Sequence, residues 1–358
     1  MLDFTSAVYL GWRHGSADLA GWDRLTTGRP AAVQEPSAAR AVAARIAATQ
    51  GAAAGVVHRS ASHALTDALD LAVGPGSAVF VDRGAYALAD DAATRTSRSD
   101  VRVIRYDHHD AVDLARRLAS IRPAARGVVV VTDGWCVSCS RPAPLAALGS
   151  ISRRCNGTLV VDDSQAIGVL GAAPRRRHPL GEGGGGTFRW LGVPPRSAVL
   201  VASLAKAYGA PLTVTTGPAP LIDTLRGAGS RWHSSPPTAA DFAAARAAVH
   251  DEAGNRRRRS HLAVLVLRLR EGLRRLGLGV LGWPFPLVSV ALRGADAAGA
   301  MYETLLGCGV RALPLHRRCR EGAALAFALT ARHTPADVDA VLDITWAACK
   351  RRTPVTVS

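Results

Sequence analysis

The sequence predicts an α/β fold with a mostly parallel central sheet, helices on both faces and a smaller α+β unit at the C-terminal end. The first observation is a series of short apolar runs rich in β-branched residues, at 78–81, 101–104, 127–131 and 158–161. The second is a set of helical patterns between these runs, near 86–97, 110–120 and 144–154. Continuous β-branched runs joined by helices are typical of strands buried on both faces of a parallel sheet.

Two helices are predicted before and between the first strands. Ser37 can cap a helix that continues to about Thr49, and Gly51 then ends it. A second helix begins near Ser60 and ends before Gly74. Both predictions rest on a capping residue at one end and a glycine at the other, which is the usual polarity of helix ends.

The second half of the chain contains a loop, a long helical region and the smaller unit. Residues 181–196 include four consecutive glycines and a proline pair, and they are predicted to form a flexible loop. A long helical region follows near 237–276. Strands are predicted near 286–292 and 323–329, with a closing helix from about Pro335 to Ala348. The predicted division is an N-terminal segment (1–36), a large domain (37–235), a linking long helix (236–276) and a small α+β domain (277–358).

Length and apolar content are sufficient for a large buried core. The chain has 358 residues, 48% of them hydrophobic. No apolar stretch reaches the roughly 18 residues that a membrane span needs. The first residues lack a basic stretch followed by an apolar one, so no signal peptide is predicted and a cytoplasmic location is expected.

The chain is strongly basic, with a net charge of +16. Arginines cluster at 175–177 and at 256–259, which is one sign of nucleic-acid binding. Aromatic residues make up only 5% of the chain, and no nucleic-acid-binding module is recognisable. The charge therefore favours a solvated basic face, or an anionic partner such as coenzyme A or an acyl carrier protein.

The six cysteines include one closely spaced pair, Cys136 and Cys139. A CxxC pair is found in redox sites and in zinc sites, but no second CxxC or histidine pair at zinc spacing accompanies it. The sequence therefore predicts ordinary reduced thiols and no metal site.

Lys206 stands out because only two of the 44 basic residues are lysines. It follows the apolar run 197–202, and the other lysine, Lys350, lies in an arginine-rich tail. Arginine cannot form an imine, whereas a lysine amine can add to a carbonyl. A single lysine directly after a buried strand is therefore a candidate Schiff-base nucleophile.

Two aspartates also follow predicted strands. Asp133 lies just past the third apolar run and Asp162 just past the fourth, and both should lie at the edge of the sheet that Lys206 reaches. Ligands of open α/β sheets bind outside the carboxyl ends of the strands. A carboxylate that keeps a pyridine nitrogen protonated, with a lysine that holds the ring's aldehyde carbon, is the arrangement that pyridoxal phosphate needs to act as an electron sink.

Six segments, in order along the chain, match the motifs of a known family. They are residues 4–11, 74–83, 132–145, 160–171, 203–209 and 333–335. Each is short, but their order and spacing together resemble the α-oxoamine synthases, a branch of the fold-type I pyridoxal-phosphate-dependent enzymes, and the chain resembles a divergent member of that family. The resemblance extends over most of the chain and implies the fold-type I architecture, with pyridoxal 5′-phosphate as the cofactor.

The resemblance also implies roles for individual residues. Lys206 would hold the cofactor as an aldimine, and Asp162 would pair with the pyridine nitrogen. Three further groups would contact the cofactor or its phosphate: Asp133, Ser203, and the backbone amides of Ala61 and Ser62 at a helix start. Ser234 or Ser235 would reach the phosphate in the neighbouring subunit, which implies a homodimer with shared active sites.

Two positions near the cofactor depart from the family pattern. Tyr86 stands where the family has a histidine stacked on the ring, and its aromatic side chain can still stack there. Gln165 stands where the family has a second histidine. Glutamine can donate a hydrogen bond to the ring O3′, but it cannot shuttle a proton.

A third departure concerns the substrate. Ala326 occupies the position of the arginine that clamps the amino-acid carboxylate in the family, and bidentate recognition by arginine is hard to replace. Arg24, Arg311 and Arg332 are candidate substitutes. If none of them serves, the substrate lacks that carboxylate.

Three functions therefore remain open from the sequence. The first is α-oxoamine-synthase-type condensation of an amino donor with an acyl thioester of coenzyme A or of a carrier protein. The second is aminotransferase, racemase or lyase chemistry, which needs the same cofactor residues and is favoured by the lost arginine and histidine. The third is a non-catalytic basic binding protein on the same scaffold.

Overall fold

The computed structural model describes residues 1–15, 26, 28–97, 100–121, 127–319 and 322–351. In chain order the elements are β1 (Leu2–Asp3), α1 (Ser37–Gln50), β2 (Ala54–His58), α2 (Ala61–Ala72), β3 (Ser77–Asp82), α3 (Ala87–Arg95), β4 (Arg102–Tyr106), α4 (Ala111–Ile121), β5 (Gly127–Asp133), β6 (Trp135–Cys136), β7 (Arg141–Pro142), α5 (Leu145–Arg154), β8 (Thr158–Asp162), α6 (Thr187–Trp190), β9 (Val199–Ser203), β10 (Thr213–Gly217), α7 (Ala219–Arg226), α8 (Gly229–His233), α9 (Ala239–His250), α10 (Glu252–Arg275), β11 (Leu287–Leu292), α11 (Ala295–Gly307), β12 (Val310–Arg311), β13 (Leu313–His316), β14 (Ala323–Ala328) and α12 (Pro335–Arg351).

A seven-stranded sheet forms the centre, in the order β2-β10-β9-β8-β5-β3-β4. The pairs β3–β4, β3–β5, β5–β8 and β8–β9 are parallel, whereas β10 runs antiparallel to both of its neighbours, β9 and β2. Strand β2 therefore runs in the same direction as β9. The carboxyl ends of the strands other than β10 consequently meet at one edge of the sheet.

The sheet is buried on both faces because its strands carry apolar side chains at consecutive positions. Side chains of a strand alternate between the two faces. Val79 and Val81 of β3 pack with α2 and α3 residues on one face, and Phe80 packs with Leu114 and Leu148 on the other. The predictions of a parallel sheet and of the bounding helices are confirmed to within a few residues.

A smaller antiparallel sheet, in the order β11-β14-β13, forms the C-terminal unit. The first residues of the chain join it, because β1 pairs with β12 and the carbonyl of Phe4 accepts a hydrogen bond from the Ala328 amide at 2.7 Å. None of the helices in the described part of the chain combines the length and the apolar character needed to cross a bilayer. The predicted domain boundaries stay predictions.

Three local predictions differ from the structure. The first helix starts at Ser37, with Pro36 in the capping position. The region 237–276 is two helices, because Asp251 leaves the helical conformation (ψ 67°) and its side chain accepts from the Gly254 amide to cap α10. Residues 181–196, predicted to be a flexible loop, form defined turns that pair with 167–172 and include α6.

Candidate active site

Two of the predicted site residues, Asp133 and Asp162, end neighbouring parallel strands. Asp133 is the last residue of β5 and Asp162 the last of β8, and the two are paired in the sheet register. Burial raises the pKa of Asp133 well above its ordinary value, and the charge of Asp162 raises it further. Asp162 is 9% exposed, so its carboxylate is largely shielded from water.

Lys206 lies on the turn that follows β9, the strand next to β8. Ser203 ends β9, and Lys206 is half-buried three residues later. Since β8 and β9 are parallel and Asp162 is paired with Val201, the aspartate and the lysine turn lie at the same edge of the sheet. The structure thus brings together the acid and the amine that the sequence analysis selected.

Ser164, which the sequence analysis did not single out, connects these two strand ends. Its amide donates to Oδ1 of Asp162 at 2.9 Å, and its hydroxyl accepts from the Ser203 amide at 2.9 Å. The two bonds fix the orientation of the Asp162 carboxylate and hold the end of β9 beside it. An aspartate that accepts from the amide two residues later is a known local signal, but the partner of the Ser164 hydroxyl on β9 is visible only in the fold.

Gly168 allows the Lys206 turn to pack closely against the segment after β8. Its φ is +78°, and a Cβ atom there would lie 2.7 Å from the Ala207 Cβ and 3.0 Å from the Tyr208 ring. Both the backbone conformation and the space therefore require glycine. This contact holds the turn that carries Lys206 against the turn that follows Asp162.

Tyr86 lies next to Asp133. Its backbone amide donates to both carboxylate oxygens of Asp133, at 3.1 and 3.0 Å, and the residue stands at the start of α3. Its side chain is 52% exposed, which leaves the ring available to contact a ligand. The structure therefore places an open aromatic ring at the strand edge that carries the two aspartates.

Gln165 is held by Tyr9, a residue to which the sequence analysis gave no role. The Tyr9 hydroxyl donates to Oε1 of Gln165 at 2.7 Å. Tyr9 is 1% exposed and its burial raises the pKa of its hydroxyl, so the phenol stays protonated and remains a donor. With Oε1 engaged as an acceptor, the Gln165 amide nitrogen is the donor that remains for a ligand.

The N-terminus of α2 follows β2, at the same edge of the sheet. Ser60 caps it by accepting from the His63 amide at 3.4 Å, and Ala61 and Ser62 are the first two helical residues. The first amides of a helix have no partner within the helix, and the helix dipole makes this end positive. Because β2 and β9 run in the same direction, these amides lie at the same edge of the sheet as Ser203.

Ser234 and Ser235 follow the short helix α8. The Ser234 hydroxyl donates to the Ser230 carbonyl at 2.7 Å, and the Ser230 amide donates to Asp67 of α2 at 3.2 Å. The segment is thereby attached to the helix whose N-terminus carries Ala61 and Ser62. The Ser234 hydroxyl therefore has no further proton to donate to a ligand.

The candidate arginines do not gather around the lysine in the described structure. Arg332 is exposed, with its side chain against Gly11, and Arg311 lies in β12 beside the N-terminal strand. Arg24 falls outside the described residues. Ala326 is completely buried in β14 between β11 and β13. Arg318, not considered from the sequence, donates from Nε to the Ala85 carbonyl at 3.1 Å and so touches the turn before Tyr86.

A cavity of about 520 Å³ lies beside Tyr208, but it is not the candidate site. Four arginines and two glutamates line this cavity. None of the cofactor-binding or substrate-binding residues predicted from the sequence lines it. Arg259 in its wall is only 7% exposed and donates to the Gly168 carbonyl at 3.1 Å. Arg259 is therefore internal, whereas Arg256 and Arg257 of the same run are exposed, as a solvated basic face requires.

Asp163 has a structural role and a testable titration. Burial raises its pKa from 3.8 to about 7, against hydrogen bonds from the Thr187 side chain and amide, which lower it. Between about pH 4 and 7, Asp163 in the folded protein therefore holds a proton that the unfolded chain has released. The free energy of unfolding should fall by up to roughly 4 kcal/mol as the pH rises through this window.

The measurement for Asp163 is urea unfolding at pH 4, 5, 6, 7 and 8. Wild-type protein should lose stability up to about pH 7 and level off above it. Asp163→Asn keeps the shape of the side chain but cannot titrate. The free energy of unfolding of this variant should therefore fall by up to roughly 4 kcal/mol less than that of the wild type over the same pH range. Equal slopes for both proteins would contradict the assignment.

The comparisons with known proteins agree with this geometry. No protein-family model matches the chain. The 8-amino-7-oxononanoate synthase of Alkalilimnicola ehrlichii is 32% identical over 333 residues, which cover 84% of this chain and 81% of the relative. The corresponding enzyme of Anaeromyxobacter dehalogenans is 35% identical over 309 residues, covering 84% and 73%.

The chain belongs to the α-oxoamine synthase family. Solved structures share its fold: a Sphingomonas wittichii serine palmitoyltransferase has a TM-score of 0.85 at 20% identity, covering 98% of this chain and 87% of that one. An 8-amino-7-oxononanoate synthase of Francisella tularensis has a TM-score of 0.74 at 17% identity, covering 98% of both chains. As a family member it is a transferase that depends on pyridoxal 5′-phosphate, and its fold is that of the fold-type I enzymes.

Proposed function

We propose that this α-oxoamine synthase joins the α-carbon of an amino donor to the acyl group of a thioester, carried by coenzyme A or by an acyl carrier protein. The observation that carries the proposal is the placement of Asp162 and Lys206 at the carboxyl ends of adjacent strands, connected through Ser164. Pyridoxal phosphate, when bound, supplies a ring that accepts the electrons released when the α-carbon loses a proton or CO2.

The residues at the strand edge fit this cofactor. The amides of Ala61 and Ser62 and the Ser203 hydroxyl would hold the phosphate, since a helix N-terminus favours an anion. Tyr86 would stack on the ring through its exposed face. The Gln165 amide, oriented by Tyr9, would donate to the ring O3′.

Two side chains would manage protons. The Asp162 carboxylate would pair with the pyridine nitrogen and keep its proton in place, while Asp133 positions Tyr86 through the backbone. The Lys206 amine would hold the cofactor between turnovers. Once the amino donor has replaced it, the free amine would take a proton from the α-carbon or return one to it.

We also propose that the enzyme is a cytoplasmic homodimer in which the segment after α8 reaches the partner's phosphate. Because the Ser234 hydroxyl already donates to Ser230, we assign this contact to Ser235. The net charge of +16 suits an anionic acyl donor, which favours coenzyme A or an acidic carrier protein over an uncharged thioester.

A second function is supported by Ala326. Because its side chain is buried between two strands, this position supplies no guanidinium for a substrate carboxylate. Aminotransferase, racemase or lyase chemistry on an amine without that carboxylate is the resulting alternative. Arg332, and Arg24 outside the described residues, remain proposed substitutes for the missing clamp.

An amino-donor screen with and without acyl thioester separates the two. We expect release of free thiol that requires both an amino donor and acyl-coenzyme A or acyl carrier protein, with CO2 as a co-product when the donor is an α-amino acid. The matched control is Lys206→Ala, which should release thiol no faster than buffer. Formation of a keto acid or aldehyde without thioester, and no thiol release in any combination, would favour the alternative.

A further inference from the structure

Four potential metal ligands from three separate segments converge beside β3. Their ligand atoms all lie within 4.8 Å of one another: His108, Cys136, Cys139 and Cys319. His108 follows β4, and Cys136 and Cys139 belong to the β6–β7 hairpin. Cys319 follows β13 of the C-terminal unit. The sequence analysis predicted ordinary thiols because it found only one CxxC, and the other two groups are 28 or more residues away in sequence.

The separation between the ligand atoms of His108 and Cys139 matches that of a tetrahedral zinc site. Nε2 of His108 lies 3.5 Å from Sγ of Cys139. With zinc–sulfur bonds of about 2.3 Å and zinc–nitrogen bonds of about 2.0 Å, a tetrahedral ion sets the sulfur–nitrogen separation at about 3.6 Å. Since all four ligand atoms lie within 4.8 Å of one another, short side-chain movements would enclose one ion.

His108 is oriented from behind by a buried carboxylate. Its Nδ1 lies 2.7 Å from Oδ1 of Asp82, which is 1% exposed. Asp82 is itself fixed by the Gly84 amide at 2.8 Å and by the Thr132 hydroxyl at 3.1 Å. Metal-binding histidines usually donate the other ring N–H to a carboxylate in this way, which sets the tautomer and directs the free nitrogen at the ion.

We propose that His108, Cys136, Cys139 and Cys319 bind one zinc ion in a closed, structural site. Three thiolates and one imidazole are a ligand set typical of structural zinc. On binding, each coordinating thiol gives its proton to solvent, His108 coordinates as the neutral imidazole, and no electron is transferred.

The ion would join the C-terminal unit to the large sheet next to the cofactor site. Cys319 is adjacent to Arg318, whose Nε donates to the Ala85 carbonyl one residue before Tyr86. Asp82, behind His108, is bonded to Thr132, the neighbour of Asp133. The site would therefore fix Arg318 and Cys319 against the edge that holds the candidate stacking ring, independently of the reaction catalysed there.

Metal analysis of the full-length protein tests the proposal. Wild-type protein, reconstituted with Zn²⁺ and desalted, should retain one zinc per chain, and Co²⁺ should give the visible bands of a tetrahedral thiolate complex. Cys139→Ser and Cys319→Ser should weaken zinc binding at least about 100-fold, and Asp82→Asn about 10–100-fold. Cys155→Ser and Cys308→Ser, outside the cluster, should retain one zinc.

A thiol count in the wild-type protein keeps the test valid if a variant fails to fold. The native zinc-loaded protein should show three fewer reactive thiols than the same protein treated with a chelator under reducing conditions. The proposal is overturned if wild-type protein binds no zinc after reconstitution, if the retained zinc survives Cys139→Ser and Cys319→Ser, or if two of the three cysteines form a disulfide in reducing buffer.

Discussion

Replacement of Lys206 by alanine is expected to abolish the covalent attachment of pyridoxal phosphate and to lower kcat by a factor on the order of 10³ or more. The reason is chemical: at this edge of the sheet Lys206 supplies the amine that can form an imine, and a residue that forms a covalent link and also moves a proton contributes to several steps. The measurements are the visible absorbance of the reconstituted protein and thiol release from the thioester.

The chain offers a matched control, because it has only one other lysine. Lys350 lies near the end of α12, a helix that packs on α10 and α11, and its amine is 3.7 Å from the centre of the Trp346 ring. Lys350→Ala should bind the cofactor and turn over like the wild type. After borohydride reduction, mass spectrometry should find the cofactor on the peptide that contains Lys206. An adduct on Lys350, or full activity of Lys206→Ala, would refute the assignment.

The fold was predictable because its signals are local. Apolar runs such as 127–131 and 158–161 are long enough for a strand and too short for a helix, and their continuous apolar character requires burial on both faces. The end of each run then locates the site, because parallel strands present their carboxyl ends together. Asp133, Asp162 and Lys206 are therefore predictable as site residues from the sequence alone.

The features that the sequence did not reveal depend on contacts between distant segments. Tyr9 and Gln165 are 156 residues apart, and nothing in either segment predicts their hydrogen bond. The ligands of the proposed zinc site are equally dispersed, so only half of its cysteine and histidine set formed a recognisable motif. Local patterns report which face is buried, but not which distant side chain lies opposite.

The arginines illustrate the same limit. Arg270 is 1% exposed and donates to the carbonyls of Leu281 and Trp283 at 2.9 and 3.1 Å. Arg231 is 4% exposed and its Nη2 donates to the Ala31 carbonyl at 3.2 Å. Such arginines fix turns from inside the protein, whereas composition alone suggested surface charge. A net charge of +16 therefore overstates the basic surface that a partner meets.

Asp162→Asn is expected to lower kcat by a factor on the order of 10²–10³ while the protein still binds the cofactor at Lys206, because a neutral amide does not hold the pyridine nitrogen in its charged form. The amide keeps the size of the side chain and its oxygen can still accept from the Ser164 amide, so the fold should persist. KM for the thioester should change much less than kcat, since the lost interaction acts on the reacting ring.

Asp163→Asn is the matched control for this prediction, because it removes the next carboxylate along the chain. Successive side chains of an extended segment point to opposite sides, and Asp163 faces Thr187 and not the strand-edge site. Asp163→Asn should therefore change the pH dependence of stability but leave kcat within about threefold of the wild type. Asp162 would not be the carboxylate that supports the ring if Asp162→Asn retained wild-type kcat, or if Asp163→Asn lowered kcat as much as Asp162→Asn. Asp133 on the neighbouring strand would then be the first residue to test.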